Sequence, residues 1–252
     1  MMRPEYPAPG AQPKLKSLWQ LAFGDSEETI EQFFAAAYDP QRCRCISDGE
    51  EIAAALYWLD CEAEGQKLAY IYAVATHPDY RGRGLCRTLM EDTHRLLTDR
   101  GYAGAVLMPA GEALRQMYGK LGYRDFGGLT EFYCTAGEAI PVRRIGKAEY
   151  AALRREFLPE GGVIQEGPGL DYLETYARFY AGADFLLAAV PEGEGLIGLE
   201  LLGTGEAAPG LLAALGCAWG KFRAPGADIP FGMFRALEMG AKNPTYLGHA
   251  FD

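Results

Sequence analysis

Apolar positions recur with a helical period over residues 14–23 and again over 27–38, where Asp25 and Glu28 have the spacing of a capping box. The pattern then becomes strand-like. Residues 42–47 and 51–59 read as two strands joined at Asp48-Gly49, and 68–76 as a third, strongly apolar strand closed by His77-Pro78. Leu85, Cys86, Leu89, Met90, Leu96 and Leu97 fall on one face of a helix over 85–100 that Gly101 ends. A short strand over 104–108, a helix over 112–121 stopped by Gly122, and two closing strands, 123–126 and 129–135, around Gly127-Gly128 complete the first half.

The pattern restarts near 136–140. A strand over 141–145 leads to helices over 147–157 and 169–180, then a hairpin of 184–190 with 195–202 across the turn 191–194. A helix over 206–215 and short strands over 231–237 and 246–251 follow. This opening order, two helices and then a hairpin, matches the first half without any residue-level repeat. The expected division is therefore 1–137 and 138–252, each of mixed α/β type.

Composition narrows the possibilities. The 252 residues suffice for one large domain or two small ones, and 49% hydrophobic with 23% charged residues is the balance of a soluble globular chain. The longest apolar runs, such as 185–190, are too short to cross a bilayer, so no membrane partner is expected. Residues 1–13 are proline-rich with no apolar signal core and are expected to start disordered. Six cysteines without a C-x-x-C pair read as free thiols of a cytoplasmic protein. Cys43 and Cys45, two apart, should face one side of their strand. His77, His94 and His249 are too scattered for a common metal site. The net charge of −10 argues against a nucleic-acid partner and leans toward a cationic small molecule or peptide, although solubility alone explains such a charge. Nothing specifies an oligomeric state.

One segment carries chemistry. The long apolar strand ends at Thr76, a polar turn follows, and then Arg81-Gly82-Arg83-Gly84-Leu85-Cys86 leads straight into a helix. A helix N-terminus offers unpaired N–H groups and partial positive charge to an anion, glycines allow close approach, and Arg81, Arg83 and Arg87 add charge there. A dinucleotide fingerprint is ruled out by Arg87 where the third glycine belongs, and a G-x-x-x-x-G-K-[ST] loop is absent.

What remains, Arg81, Gly84 and Cys86, resembles the R-x-x-G-x-[G/A] motif of the GCN5-related N-acetyltransferase (GNAT) superfamily. A second segment, Leu114-Arg115-Gln116-Met117-Tyr118-Gly119-Lys120-Leu121-Gly122-Tyr123, resembles that family's L-x-x-x-Y-x-K-x-G-F/Y stretch and falls at the expected distance. The resemblance spans about residues 15–135. It implies a GNAT-fold first module and, from 138 on, a smaller GNAT-like module without the loop that walls the acceptor cleft.

The resemblance also implies acetyl-CoA as donor and a primary amine of a small molecule or peptide as acceptor, attacked directly. Backbone amides of the loop Arg81 to Cys86 would hold the pyrophosphate, with Arg87 adding charge, and Ala73, Val74, Ala75 and Thr76 would pair with the pantetheine arm. Tyr118 would protonate the departing thiolate, although its place on the apolar stripe Leu114, Met117, Tyr118, Leu121 also suits a core residue. Met108-Pro109 stands where the family often has an asparagine. Glu131, Asp25 and Glu28 are the candidate bases, and Asp252 is a further candidate for a carboxylate in the acceptor site. A longer acyl group or an alcohol acceptor is the nearest rival, and an acyl-CoA sensor without turnover the rival from another class.

Overall fold

The computed structural model describes residues 2–251. Within them, twelve strands form one mixed sheet and seven α-helices pack against it. The first half runs β1 (Pro4–Glu5), α1 (Gln12–Phe23), α2 (Glu27–Ala36), β2 (Cys43–Asp48), β3 (Glu51–Ala63), β4 (Gln66–Thr76), α3 (Leu85–Asp99), β5 (Gly104–Leu107), α4 (Glu112–Gly119) and β6 (Arg124–Thr135). The second runs β7 (Arg143–Ile145), α5 (Lys147–Phe157), α6 (Pro168–Tyr176), β8 (Arg178–Ala181), β9 (Phe185–Glu192), β10 (Gly195–Gly203), α7 (Ala208–Leu215), β11 (Trp219–Gly226) and β12 (Ile229–Ala236). None of the described helices is long and apolar enough to cross a membrane.

The strand order is β1-β2-β3-β4-β5-β12-β6-β11-β10-β9-β8-β7. It reads almost the same from either end. In each half an antiparallel ladder ends in one parallel pair, β4 with β5 and β10 with β11. Each half then lends its last strand to the other, so that β12 pairs with β5 and β6 pairs with β11. The chain passes from half to half between β6 and β7, while the sheet is continuous through the exchanged strands.

Several sequence expectations change at this level. Residues 123–126 and 129–135 are one strand, because Gly127 and Gly128 serve close packing rather than a turn. A Cβ on Gly127, at φ +56°, would lie 2.5 Å from the Thr245 carbonyl oxygen, and one on Gly128 would lie 2.9 Å from that of Gly226. The helix expected over 169–180 stops at Tyr176, and Arg178–Ala181 becomes β8, paired with β7 and β9. Strand β11, rich in glycine and charge, has no counterpart in the sequence reading; its register is set by β6 and β10. Residues 246–251 are irregular apart from one bridge, Tyr246 to Gly162. The N-terminus is ordered at Pro4 and Glu5, which pair with Ile46 and Cys45.

Helix α2 is capped by Ser26, whose hydroxyl accepts the Thr29 N–H at 3.1 Å. Asp25 is thereby released from the capping role its spacing suggested. Cys43 and Cys45 are both buried in the core beneath α1 and α2, on one side of β2 as expected.

The feature that positions the site is a bulge in β4. Register with β3 shifts between the pairs Ala55–Ala75 and Tyr57–Tyr72, and Ala73 sits there at φ +46°. Beta-bulges bend a strand and end its pairing on one edge. The parallel ladder with β5 accordingly covers only Leu68 to Tyr70. Beyond it β4 and β5 diverge, and a cavity opens between them.

Candidate active site

Two cavities lie along the free edge of β4. The smaller, about 260 Å³, is bounded by Thr76, Arg81, Gly82, Gly84, Cys86, Arg87 and Met117. The larger, about 440 Å³, takes its floor from Tyr72, Ala73 and Val74, one side from Trp19 and Asp25, the other from Leu107, Met108 and Tyr118, and its end from Tyr172 and Phe251. β4 and α4 run from one to the other. Thr76 and Met117 touch the first, Val74 and Tyr118 the second.

The phosphate-type loop is built as its sequence suggests. Gly82 and Gly84 adopt φ +75° and +76°, a left-handed conformation that a side chain strains, and no protein atom lies within 4 Å of where a Cβ would stand. Gly84 caps α3 without a side-chain bond, so the first N–H groups of that helix face the cavity side unscreened. Leu85 is buried and anchors the helix start. Arg81 donates from Nε to the Thr76 carbonyl at 3.2 Å. Arg83 differs from the expectation of a cavity-lining cation. Its guanidinium donates to the Asp79 carbonyl at 2.7 Å and lies over the Tyr80 ring, outside the cavity wall.

Of the four strand residues expected to meet a ligand, Ala73 and Val74 line the large cavity and Thr76 the small one. Ala75 is buried and lines neither, because alternate residues of a strand point to opposite faces. Three non-glycine residues have positive φ among those described: Glu64 in the β3–β4 turn, and Ala73 and Phe251, both in the wall of the large cavity. Backbone strain is thus concentrated at this cavity.

Tyr118 is buried at the end of α4 and lines the cavity, with its ring edge-on to Tyr123. Burial, reinforced by Cys86, pushes its pKa well above that of an ordinary phenol. The hydroxyl stays protonated across the physiological range, the form a proton donor needs.

The carboxylates separate clearly. Asp25 lines the cavity, and its Oδ2 accepts the Trp19 indole N–H at 2.7 Å. Glu28 is exposed on α2 away from the lining. Glu131 is in the wall of a different cleft, where its carboxylate takes Arg223 at 2.9 Å and Lys221 at 3.0 Å. Burial raises its pKa, but Arg223 and Lys221 outweigh that and hold it below the usual range, so it is a poor base. Asp252 lies outside the described residues.

The second half was expected to wall the acceptor cleft, and a few of its residues reach this cavity. Tyr172 on α6 and the tail residues Ala250 and Phe251 close the cavity. Tyr70 and Tyr72 of β4 donate to the carbonyls of Ala250 at 2.7 Å and Phe251 at 2.8 Å. Behind them, Gln165 clamps the His249 backbone, donating to its carbonyl at 2.7 Å and accepting its N–H at 3.0 Å. The His249 ring meets Tyr150 and a fully buried ion pair, Arg154 with Glu200 at 2.7 Å. The aromatic, apolar tail was the available signal, and Ala250 and Phe251 lie in the cavity wall.

Comparison with known proteins completes the description. The family model of the acetyltransferase (GNAT) domain matches residues 9–125, which include the loop, β4 and α4. A GCN5-related N-acetyltransferase from Kribbella flavida is similar with TM-score 0.72 and 19% identity, over 96% of this chain and 72% of that one. Another, from Anabaena variabilis, gives 0.75 and 15% over 94% and 73%. A conserved protein of unknown function from Enterococcus faecalis, described as a probable N-acyltransferase, gives 0.71 and 16% over 96% and 74%. A search of curated proteins found no match. At these identities the structural likeness establishes the fold, and it extends through both halves of the chain.

Proposed function

Because the chain belongs to the GNAT superfamily through the domain matched over residues 9–125, we propose that it transfers an acetyl group from acetyl-CoA to a primary amine. The observation that carries this reading is the placement of the two cavities along one stretch of β4 whose edge is unpaired by β5 beyond Tyr70. An anion cradle at one end, an extended edge of free N–H and C=O groups, and a strained, enclosed end with a buried phenol suit a long pyrophosphate-bearing thioester. The pyrophosphate would lie at Gly82–Cys86 beside Arg81 and Arg87. The arm's amides would pair with Ala73 to Thr76 as an added strand.

The chemistry follows from this placement. The acceptor ammonium gives up a proton, and its nitrogen attacks the thioester carbon. A C–N bond forms, the C–S bond breaks, and the nitrogen sheds a second proton. A strand N–H at Ala73–Val74 stabilises the developing oxyanion. Tyr118 donates its proton to the departing thiolate. Asp252, one residue beyond Phe251, is the proposed recipient of the amine's proton. The reading places one active site in the chain, in the first half, with the second half as its wall.

Titration calorimetry with acetyl-CoA, together with a thiol-reactive dye and a panel of amines, tests the proposal. Binding at one site and CoA release only with amine present is the expected result. Tight binding without release on any amine would make the chain an acyl-CoA sensor, and no binding would remove the proposal.

A further inference from the structure

The large cavity, about 440 Å³, has a distinct chemistry on one side. On the side of α1, α2 and α6 its wall is aromatic. Trp19 and Tyr72 have ring centroids 5.5 Å apart, Tyr72 and Phe251 5.9 Å, and Tyr172 and Phe251 6.0 Å. Asp25 is the one charged side chain among the described lining residues. One of its oxygens is oriented by the Trp19 indole, and none of the described cations forms an ion pair with it. At the mouth Phe23 and Leu114 are large apolar side chains left 46% and 40% exposed, one on each side.

We propose that the acceptor is an arylalkylamine in chemical class: one primary ammonium head, held by Asp25, on a flat apolar body that stacks against Trp19, Tyr72, Tyr172 and Phe251. This rests on the acetyltransferase reading of the same cavity and specifies its substrate. A carboxylate beside aromatic faces binds an ammonium through charge and cation–π attraction. A polyamine or aminosugar would bring a row of charges or hydroxyls against a wall that is mostly aromatic, and buried polar groups without partners are costly. An apolar body reaching the mouth would cover Phe23 and Leu114.

The test uses the full chain with acetyl-CoA and measures CoA release on phenethylamine, ethanolamine, spermidine and glucosamine. The expected result is a kcat/KM for phenethylamine at least about tenfold above the others. Asp25→Asn, which still accepts the Trp19 N–H, should raise the phenethylamine KM by at least about tenfold while the acetyl-CoA Kd is unchanged. It should leave inhibition by uncharged phenethyl alcohol unaltered. Preference for spermidine or glucosamine, or an unmoved KM in Asp25→Asn, would overturn the substrate class and leave the acetyltransferase reading standing. Octanoyl-CoA outpacing acetyl-CoA with ethanolamine as acceptor would also overturn it, because the apolar space would then belong to the donor. Failure to bind acetyl-CoA would remove the underlying reading itself.

Discussion

The two halves place the same strands in the same order and use them for opposite ends. β4 and β10 each carry a bulge, at Ala73 and between Gly198 and Glu200, and each diverges from its parallel neighbour after a short ladder. In the first half the bulge opens onto a cavity. In the second, the corresponding helix α5 sends Tyr150 and Arg154 down to Glu200, and the space is filled by a buried, hydrogen-bonded cluster. The helix entries differ in the same sense. Before α3 stand Gly84, Arg81 and Arg83, and Arg87 lies in its first turn. Before α7 a short turn is capped by the Thr204 hydroxyl, which accepts the Glu206 N–H at 3.3 Å, and Glu206 brings negative charge to the helix start. The second half thus fills internally the features on which the proposed acetyl-CoA site of the first half rests.

Breaking the loop should have the largest effect. Gly84→Glu puts a strained side chain and a like charge where the pyrophosphate is proposed to sit, and acetyl-CoA affinity should fall by about a thousandfold or more in calorimetry. Next comes the filled side. Glu200→Ala leaves Arg154 charged, buried and unpaired, and should cost about 3–5 kcal/mol in denaturant unfolding. Replacing both residues by leucine should cost less than the single change. Tyr118→Phe should lower kcat by about a hundredfold with the acetyl-CoA Kd unchanged; an unaltered kcat would make Tyr118 a packing residue.

A smaller effect separates the halves by pH. His94, on the buried face of α3 and bonded to Tyr123 at 2.8 Å, has its pKa pushed down to about 3 by burial and then by Arg235. It is neutral when folded, whereas in the unfolded chain it takes a proton below about 6.5. Its contribution to stability is therefore complete above that value and declines as pH falls toward 3, by at most about 1.4 kcal/mol per pH unit. His94→Gln should flatten that limb of the stability curve. In the second half Glu200 is held down at about 2, where burial opposes ionisation but Arg154 and His249 outweigh it. Its stability is lost only below the unfolded carboxylate range, so a slope below about pH 4.5 should survive in His94→Gln. The smallest effect is the most pointed: Glu206→Arg should leave acetyl-CoA stoichiometry at one per chain, since the space beside β10 is filled by the Tyr150, Arg154 and Glu200 cluster.

Much of the first half was legible because its signals are local. The period of α3, the end of β4 at His77-Pro78 and the glycine pair of the loop each depend on a few adjacent residues, and the structure places them where their pattern puts them. Asp25 misled for the same reason: its spacing to Glu28 fits a cap, but Ser26 lies one residue closer to the helix and takes that role. Strand β11 escaped notice because a strand held between two others needs little propensity of its own.

The sequence by itself determined the glycine turn of the candidate anion loop and the helix behind it, since turn conformation and helix polarity are written in contiguous residues, and the family resemblance added the candidate donor Tyr118. Only the tertiary structure decided the acceptor wall. The exchange of β6 and β12, the burial of Glu200 with Arg154, and the docking of Ala250 and Phe251 onto Tyr70 and Tyr72 join residues as much as 180 positions apart. Such contacts depend on packing between faces, and no local pattern along the chain encodes which faces meet.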